Sequence, residues 1–351
     1  MADRSNIEWC DSTFNPWEGC QHAGPGCDNC YAENRNARYA GGQAVNWGPG
    51  APRRRTSVAN WRKPVAWNLG ADAFEREHGR RRRVFCASLA DVFDNQVDPA
   101  WRADLFELIR KTPRLDWLLL TKRIGNAEAM IKAAIADLDI GYSVPFAAWP
   151  WPNVWLGATA VNQAEADRDI PKLLATPAHM RFLSIEPMLG PIDLTRIQVC
   201  GGDAEIYPLI GTTECVNDEG VPADDVPAVN WIIAGGESGP KARPMHPDWA
   251  RSLRDQCTRP DVPFLFKQWG EWIEVDSGMA EPLVAREGDP EFNAELAKHD
   301  GFISLAGHFV TDPDDMVDGV AYRGLIRPGK KTAGRLLDGI EHNGFPIGPT
   351  P

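Results

Sequence analysis

The sequence predicts an α/β fold, a partial (βα)6 barrel of TIM-like kind, and three observations carry that prediction. Six nearly continuous apolar runs, at residues 83–87, 116–120, 153–157, 180–185, 231–234 and 262–266, read as strands buried on both faces of a parallel sheet. Helix-like segments at 98–111, 126–138, 163–175 and 248–257 lie between them, with Pro99 and Pro247 near two helix starts, where a missing N–H costs little. Every apolar run also passes into a polar turn, which gives the strand–turn–helix rhythm of βα repeats.

Three stretches interrupt this rhythm. Residues 141–152 are rich in Pro and Trp and read as a loop, and residues 196–229, acidic and proline-containing, read as a surface insertion between two strands. From 278 to 318 the composition turns polar, as in a peripheral extension. The expected organisation is a barrel over 1–275, with an N-terminal loop at 15–32 and the insertion at 196–229, and an extension over 276–351 packed on it.

Composition narrows the class. The 351 residues are 43% hydrophobic and 25% charged, with a formal charge of −12, which excludes a fibre or wholesale disorder. No run of about 18 apolar residues occurs, so no membrane span is expected. Met1-Ala2-Asp3-Arg4-Ser5 lacks the apolar stretch of a signal peptide, and the cytoplasm is the expected compartment. Within this acidic chain stand two basic runs, Arg53-Arg54-Arg55 and Arg80-Arg81-Arg82-Arg83. They are read either as solvated surface or as a rim that tracks phosphates.

In βα barrels the reactive groups come from the C-terminal strand ends. Those positions here supply Asp91, Lys122, Glu186, Glu237 and Lys267 as candidate catalytic residues. Lys122, Arg123 and Lys267 can neutralise a carboxylate or phosphate, and Asp91, Glu186 and Glu237 can orient hydroxyls or amines. Gly235 and Gly236 would let backbone approach a ligand closely, beside Glu237 as an acceptor. Trp17 and Trp269 are candidates to stack on a base or to fill the core. Gly329-Lys330-Lys331-Thr332 is a candidate phosphate grip but lacks the full Walker pattern.

Three of eight cysteines fall within eleven residues, as Cys20-x6-Cys27-x2-Cys30. Thiolates at that spacing point to an inorganic centre. Zinc would need Cys10 or His22 as a fourth ligand, whereas an iron–sulfur cube held by three cysteines leaves one iron open. Cys86 and Cys257 read as buried small hydrophobes, while Cys200 and Cys215 flank the insertion.

Asn15-Pro16-Trp17-Glu18-Gly19-Cys20 followed by Cys27-Asp28-Asn29-Cys30-Tyr31-Ala32 resembles the cysteine motif of radical-SAM proteins related to spore photoproduct lyase. Two departures stand out: the first spacing is x6 rather than x3, and the Gly-Gly-Glu turn follows a late strand rather than an early one. A closer likeness, along nearly the whole chain, is to a phage and bacterial family of three-cysteine proteins, the phage gene-product-thirty-seven/sixty-eight type. It is carried by Ile7-Glu8-Trp9, Leu120-Thr121-Lys122-Arg123, Arg181-Phe182-Leu183-Ser184-Ile185-Glu186-Pro187, Gly235-Gly236-Glu237-Ser238-Gly239-Pro240, Phe266-Lys267-Gln268-Trp269-Gly270 and Gly329-Lys330-Lys331-Thr332-Ala333-Gly334-Arg335.

The resemblance implies a radical-SAM-like partial barrel with a [4Fe–4S] cluster on Cys20, Cys27 and Cys30. It further implies S-adenosyl-L-methionine as cosubstrate, with Tyr31, Gly235, Gly236 and Glu237 on the cofactor side. The activity to expect is a lyase or nucleic-acid modification through a 5′-deoxyadenosyl radical. The expected partners are DNA or a nucleotide as substrate, a reductant and a protein partner, with no membrane; a phage-encoded chain would work in the host cytoplasm. Two alternatives stay open: an iron–sulfur or zinc protein that binds DNA or a protein partner without chemistry, and an enzyme acting on free nucleotides.

Overall fold

A computed structural model describes residues 3–139, 149–215, 224–275, 283–284 and 296–347. Its centre is a seven-stranded, all-parallel sheet curled into a half-barrel. In chain order the strands are β1 (Ser12–Thr13), β2 (Arg82–Cys86), β3 (Leu115–Thr121), β4 (Val154–Thr159), β5 (Met180–Ile185), β6 (Trp231–Gly235) and β7 (Phe264–Gln268), and their spatial order is the same. Each expected strand is present, and the sheet gains β1, a two-residue strand too short to leave a pattern in sequence.

Helices cover the convex face. After α1 (Tyr31–Tyr39) and three short helices at Val58–Trp61, Lys63–Leu69 and Ala71–His78, the βα repeats contribute α2 (Pro99–Lys111), α3 (Ile124–Asp139), α4 (Gln163–Ala175) and α5 (Pro247–Thr258). Their starts follow local chemistry: Asp98 and Asn162 accept from the amides of Ala100 and Glu165, at 2.9 and 3.0 Å. Replacing Asn162 by Ala is expected to lower stability by about 1 kcal/mol in chemical denaturation, since one orphan amide of α4 loses its cap.

Alternation along the strands sorts side chains between two cores. Val84, Cys86, Trp117, Leu119, Leu156, Leu183, Ile232 and Phe266 face the helices. Phe85, Leu118, Trp155, Phe182, Trp231, Ile233 and Leu265 face the concave side, where Trp9 joins them from the N-terminal segment. The Trp9 ring lies 4.5 Å from Phe85 and 6.5 Å from Trp231, and Trp155 meets Trp231 edge-on at 6.1 Å. Gly157 is required here, because a Cβ would stand 2.3 Å from the Phe182 ring. This aromatic layer closes the lumen from below, and each fully buried ring contributes roughly 1.5–3 kcal/mol.

The later chain packs on this frame. Asn343 bridges to Leu265, Phe266 N–H donates to His342 O, and Phe345 reaches Trp231 at 5.2 Å, so the tail covers the outer edge of β7. Residues 196–229 form a four-stranded antiparallel sheet among those described, from Ile197–Val199, Ala204–Tyr207, Thr212–Cys215 and Asp224–Asp225. The extension builds an antiparallel sheet with Ile273–Glu274, in which Gly301–Ser304 and Ala321–Ile326 pair over a small core of Leu296, Phe302, Val310, Met316 and Tyr322. Polar composition hid that core, since its few apolar residues are widely spaced. Of the expected loop 141–152, residues 149–152 are described, and there Trp149 and Trp151 pack on Phe106 of α2; residues 141–148, and the side chains of Cys200 and Cys215, lie outside the described residues. Among the described residues no helix is long and apolar enough to cross a membrane.

Candidate metal centre

The cysteine loop sits over the C-terminal ends of β2 to β4. Gly19 starts it with φ +114°, and a Cβ there would stand 2.5 Å from Asn46 O, so only glycine lets the loop pass. A single 3-10 turn, Pro25–Cys27, follows, and Cys30 caps the N-terminus of α1. All three cysteines line one cavity of about 150 Å³, together with Asp91, Lys122 and Arg123. Among the described residues, no group of three His, Cys, Asp or Glu side chains converges to hold a metal ion. The two fourth ligands considered for zinc are engaged elsewhere. Cys10 is buried and bonds Ser5 Oγ at 3.3 Å, and His22 pairs with Glu33 at 3.0 Å.

Burial sets the acidity of Cys20 and Cys30. It pushes Cys20 up to about 12, aided by the negative charge of Asp91 and opposed by Arg123. Burial raises Cys30 as well, against the amides of Glu33 and Ala32 at the start of α1 and the charge of Lys122. Without a cation beside them, Cys20 and Cys30 stay protonated.

Two arginines clasp the loop, each anchored on a buried carboxylate. Arg123 Nη1 donates to Cys20 Sγ at 3.5 Å and to Asp91 Oδ2 at 3.3 Å, while Nη2 donates to Gln21 O at 2.5 Å. Asp91 is fixed in turn by Thr121 Oγ1 at 2.7 Å and by the amides of Phe93 and Lys122 at 2.9 and 3.0 Å. On the other side Arg243 donates to both oxygens of Glu237, at 2.9 Å through Nε and 2.7 Å through Nη2, and reaches Asp28 Oδ2 and Pro25 O, each at 2.9 Å. Asn29 Nδ2 completes the clasp on Glu237 Oε2 at 2.9 Å.

Glu237, expected as a ligand acceptor, lines the large cavity of the half-barrel, and its carboxylate also holds the cysteine loop through Asn29 and Arg243. Gly236 and Gly270 serve loop packing. A Cβ on Gly236 would fall 1.8 Å from Trp269 O, and one on Gly270, at φ +89°, 2.0 Å from Glu237 O. Gly235 is confined by Gln268 O and Glu186 Oε1, both 3.3 Å from where its Cβ would stand.

Below the loop, inside the half-barrel, lies a larger cavity of about 590 Å³. Its walls carry Thr159, Ser184, Glu186, Lys267 and Gln268, and Trp9 and Phe85 also line it. Lys267 Nζ donates to Glu186 Oε1 at 2.6 Å. Gln268 Nε2 donates to Gly236 O at 3.0 Å, which fixes its amide so that the buried Oε1 has no partner, and buried Thr159 Oγ1 likewise has none. No hydrogen bond or ion pair among the described residues engages the Lys122 ammonium, which lines both cavities. Tyr31, 64% exposed, and Lys330 also line the large cavity. Trp17 and Trp269 are core residues, 0% and 4% exposed, and stack on nothing beyond it.

Comparison with known proteins adds one relationship. Residues 4–346 match the family described as protein of unknown function DUF5131. The chain belongs to the DUF5131 family. No curated protein and no solved structure matches it.

In this DUF5131 protein most arginines of the two runs have partners within the fold. Arg53 is buried against Asp94, Nε to Oδ2 2.7 Å, while Arg54 pairs with Glu18 and Arg55 with Asp104. Arg80 grips Asp11 through two bonds of 2.7 and 2.8 Å, and Arg81 pairs with Asp116 at 3.0 Å. Arg82 and Arg83 lie over Phe74 and Phe345, at 4.2 and 4.1 Å. Carboxylates and rings of the fold thus engage both clusters, while Arg54 and Arg55 also stay exposed. The sequence reading missed Arg243 and Asn29 as members of the site. Asn29 stands inside the cysteine motif, but nothing local marks Arg243, whose partners in the loop are more than 200 residues away.

Proposed function

We propose that this DUF5131 protein is an iron–sulfur enzyme of radical-SAM type, with a [4Fe–4S] cluster on Cys20, Cys27 and Cys30. One observation carries the reading. The cavity that the three cysteines line shares Gly26, Cys30, Ser88, Leu120, Lys122 and Thr159 with the large cavity of the half-barrel. A centre held there would face a substrate directly. Three thiols ranged around a cavity suit a multi-iron cluster better than a single ion, whose ligands must converge to about 2.3 Å from one point. When bound, the cluster would pass one electron from an external reductant to S-adenosyl-L-methionine, whose C5′–S bond would break to give methionine and a 5′-deoxyadenosyl radical.

The chain's own residues do the rest. The aromatic layer under the cavity keeps water from entering from below, which protects reactive species. The Glu186–Lys267 pair presents an oriented acceptor and donor on one wall, and Lys122 offers a cation to an anionic group of substrate or cofactor. We propose a nucleotide, or one nucleotide of a nucleic acid, as the substrate class: a cavity of about 590 Å³ holds a single base and sugar but no duplex, so DNA would enter as a flipped or single-stranded nucleotide. A binding role without chemistry, which drew on the cysteine spacing, the displaced Gly-Gly-Glu turn and the arginine runs, keeps the first two supports, while most arginines of the runs are paired within the fold.

The test is anaerobic reconstitution with S-adenosyl-L-methionine and dithionite, followed by chromatography for 5′-deoxyadenosine. The proposal expects its formation, and its loss on replacing Lys122 by Met is expected to be partial, about tenfold. A fully loaded cluster that yields none, with or without single-stranded DNA, would overturn the catalytic reading.

A further inference from the structure

We infer that Arg123 is a positioning residue that sets how easily the cysteine-held cluster is reduced: anchored by Asp91, its guanidinium donates to the Cys20 sulfur. The inference rests on the cluster proposed above. Its basis is geometric. One guanidinium spans three acceptors at once, Cys20 Sγ, Gln21 O and Asp91 Oδ2, at 3.5, 2.5 and 3.3 Å. A lysine ammonium, a single point of charge, cannot reproduce that fork. The side chains are nearly sealed from water, with 11% exposed on Arg123 and 7% on Asp91, so their charges act with little screening. Asp91, tied to Thr121, Phe93 and Lys122, cannot drift, and it holds the arginine in one place.

Reduction adds one negative charge to a cluster, and hydrogen bonds and charge at the ligating sulfurs tune its potential. A cation donating to Cys20 favours the reduced state, while the carboxylate behind it disfavours that state. The two residues therefore act in opposite senses although they form one network. Replacing Arg123 by Gln should move the midpoint potential to more negative values, and replacing Asp91 by Asn should move it to more positive values. Arg123→Lys should fall between Arg123→Gln and the wild type.

The test is a redox titration of each anaerobically purified protein, followed by electron paramagnetic resonance, with iron content and thermal unfolding measured alongside. Opposite shifts in the Gln and Asn variants support the inference; a merely structural network would lower iron retention in both without opposite signs. Shifts of one sign, or none, in variants that retain iron overturn it. If Arg123→Gln loses its iron, Asp91→Asn and Arg123→Lys decide by the same signs. A wild-type protein that binds no iron overturns the cluster reading itself, which separates that failure from failure of the arginine's role.

Discussion

Replacing Cys20, Cys27 or Cys30 by Ala is expected to lower iron and acid-labile sulfide from about four of each per chain to near zero. Each sulfur lines the small cavity, and none has a spare neighbour there to take its place. Cys10→Ala should leave the metal content unchanged, because that thiol is buried beside Ser5, outside the cavity, and burial pushes it up to about 12. Cys257→Ala should behave alike, as its side chain is core. The contrast between three sensitive and two insensitive cysteines is the expected pattern. Metal loss in Cys10→Ala as severe as in Cys20→Ala would favour a four-ligand zinc site.

The second large effect concerns the arginine runs. Arg53→Met is expected to destabilise the fold by about 3–5 kcal/mol, read as a shift in chemical denaturation. Its guanidinium and the Asp94 carboxylate are 1% and 0% exposed, so the substitution strands a charge away from water. Arg53 also donates to Ala51 O at 2.8 Å and to Asn46 O at 3.3 Å, and it therefore braces the segment that packs on Gly19 and Cys20. Adding Asp94→Asn to Arg53→Met should recover part of the loss, since the stranded carboxylate is then neutral. A phosphate-binding arginine on a rim would behave otherwise, with unchanged stability and weaker, salt-sensitive DNA binding.

What sequence made legible follows from what is local. The six long strands announced themselves because burial on both faces demands continuous apolar runs, and α4 matched its expected bounds because Asn162 caps it in place. The two-residue β1 carries no such run. Neither could local pattern show that Trp9 and Phe345, from the two ends of the described chain, close the lumen together. In the site, spacing alone singled out the three cysteines that line the small cavity. It did not single out their supports. Glu237 and Asp91 stood out as polar residues at strand ends, yet folding spends both on arginines that hold the loop, a use that depends on contacts 208 and 103 residues apart. A charge at a barrel mouth marks a site without saying whether it meets the ligand or supports what does.

The most direct measurement is the visible and electron paramagnetic resonance spectrum of the full chain purified without oxygen, with iron, sulfide and zinc counted on the same sample. The account predicts a brown protein with about four irons and four sulfides per chain, whose dithionite-reduced form gives the signal of a [4Fe–4S]⁺ cluster. A colourless protein that holds zinc, or no metal, would contradict it.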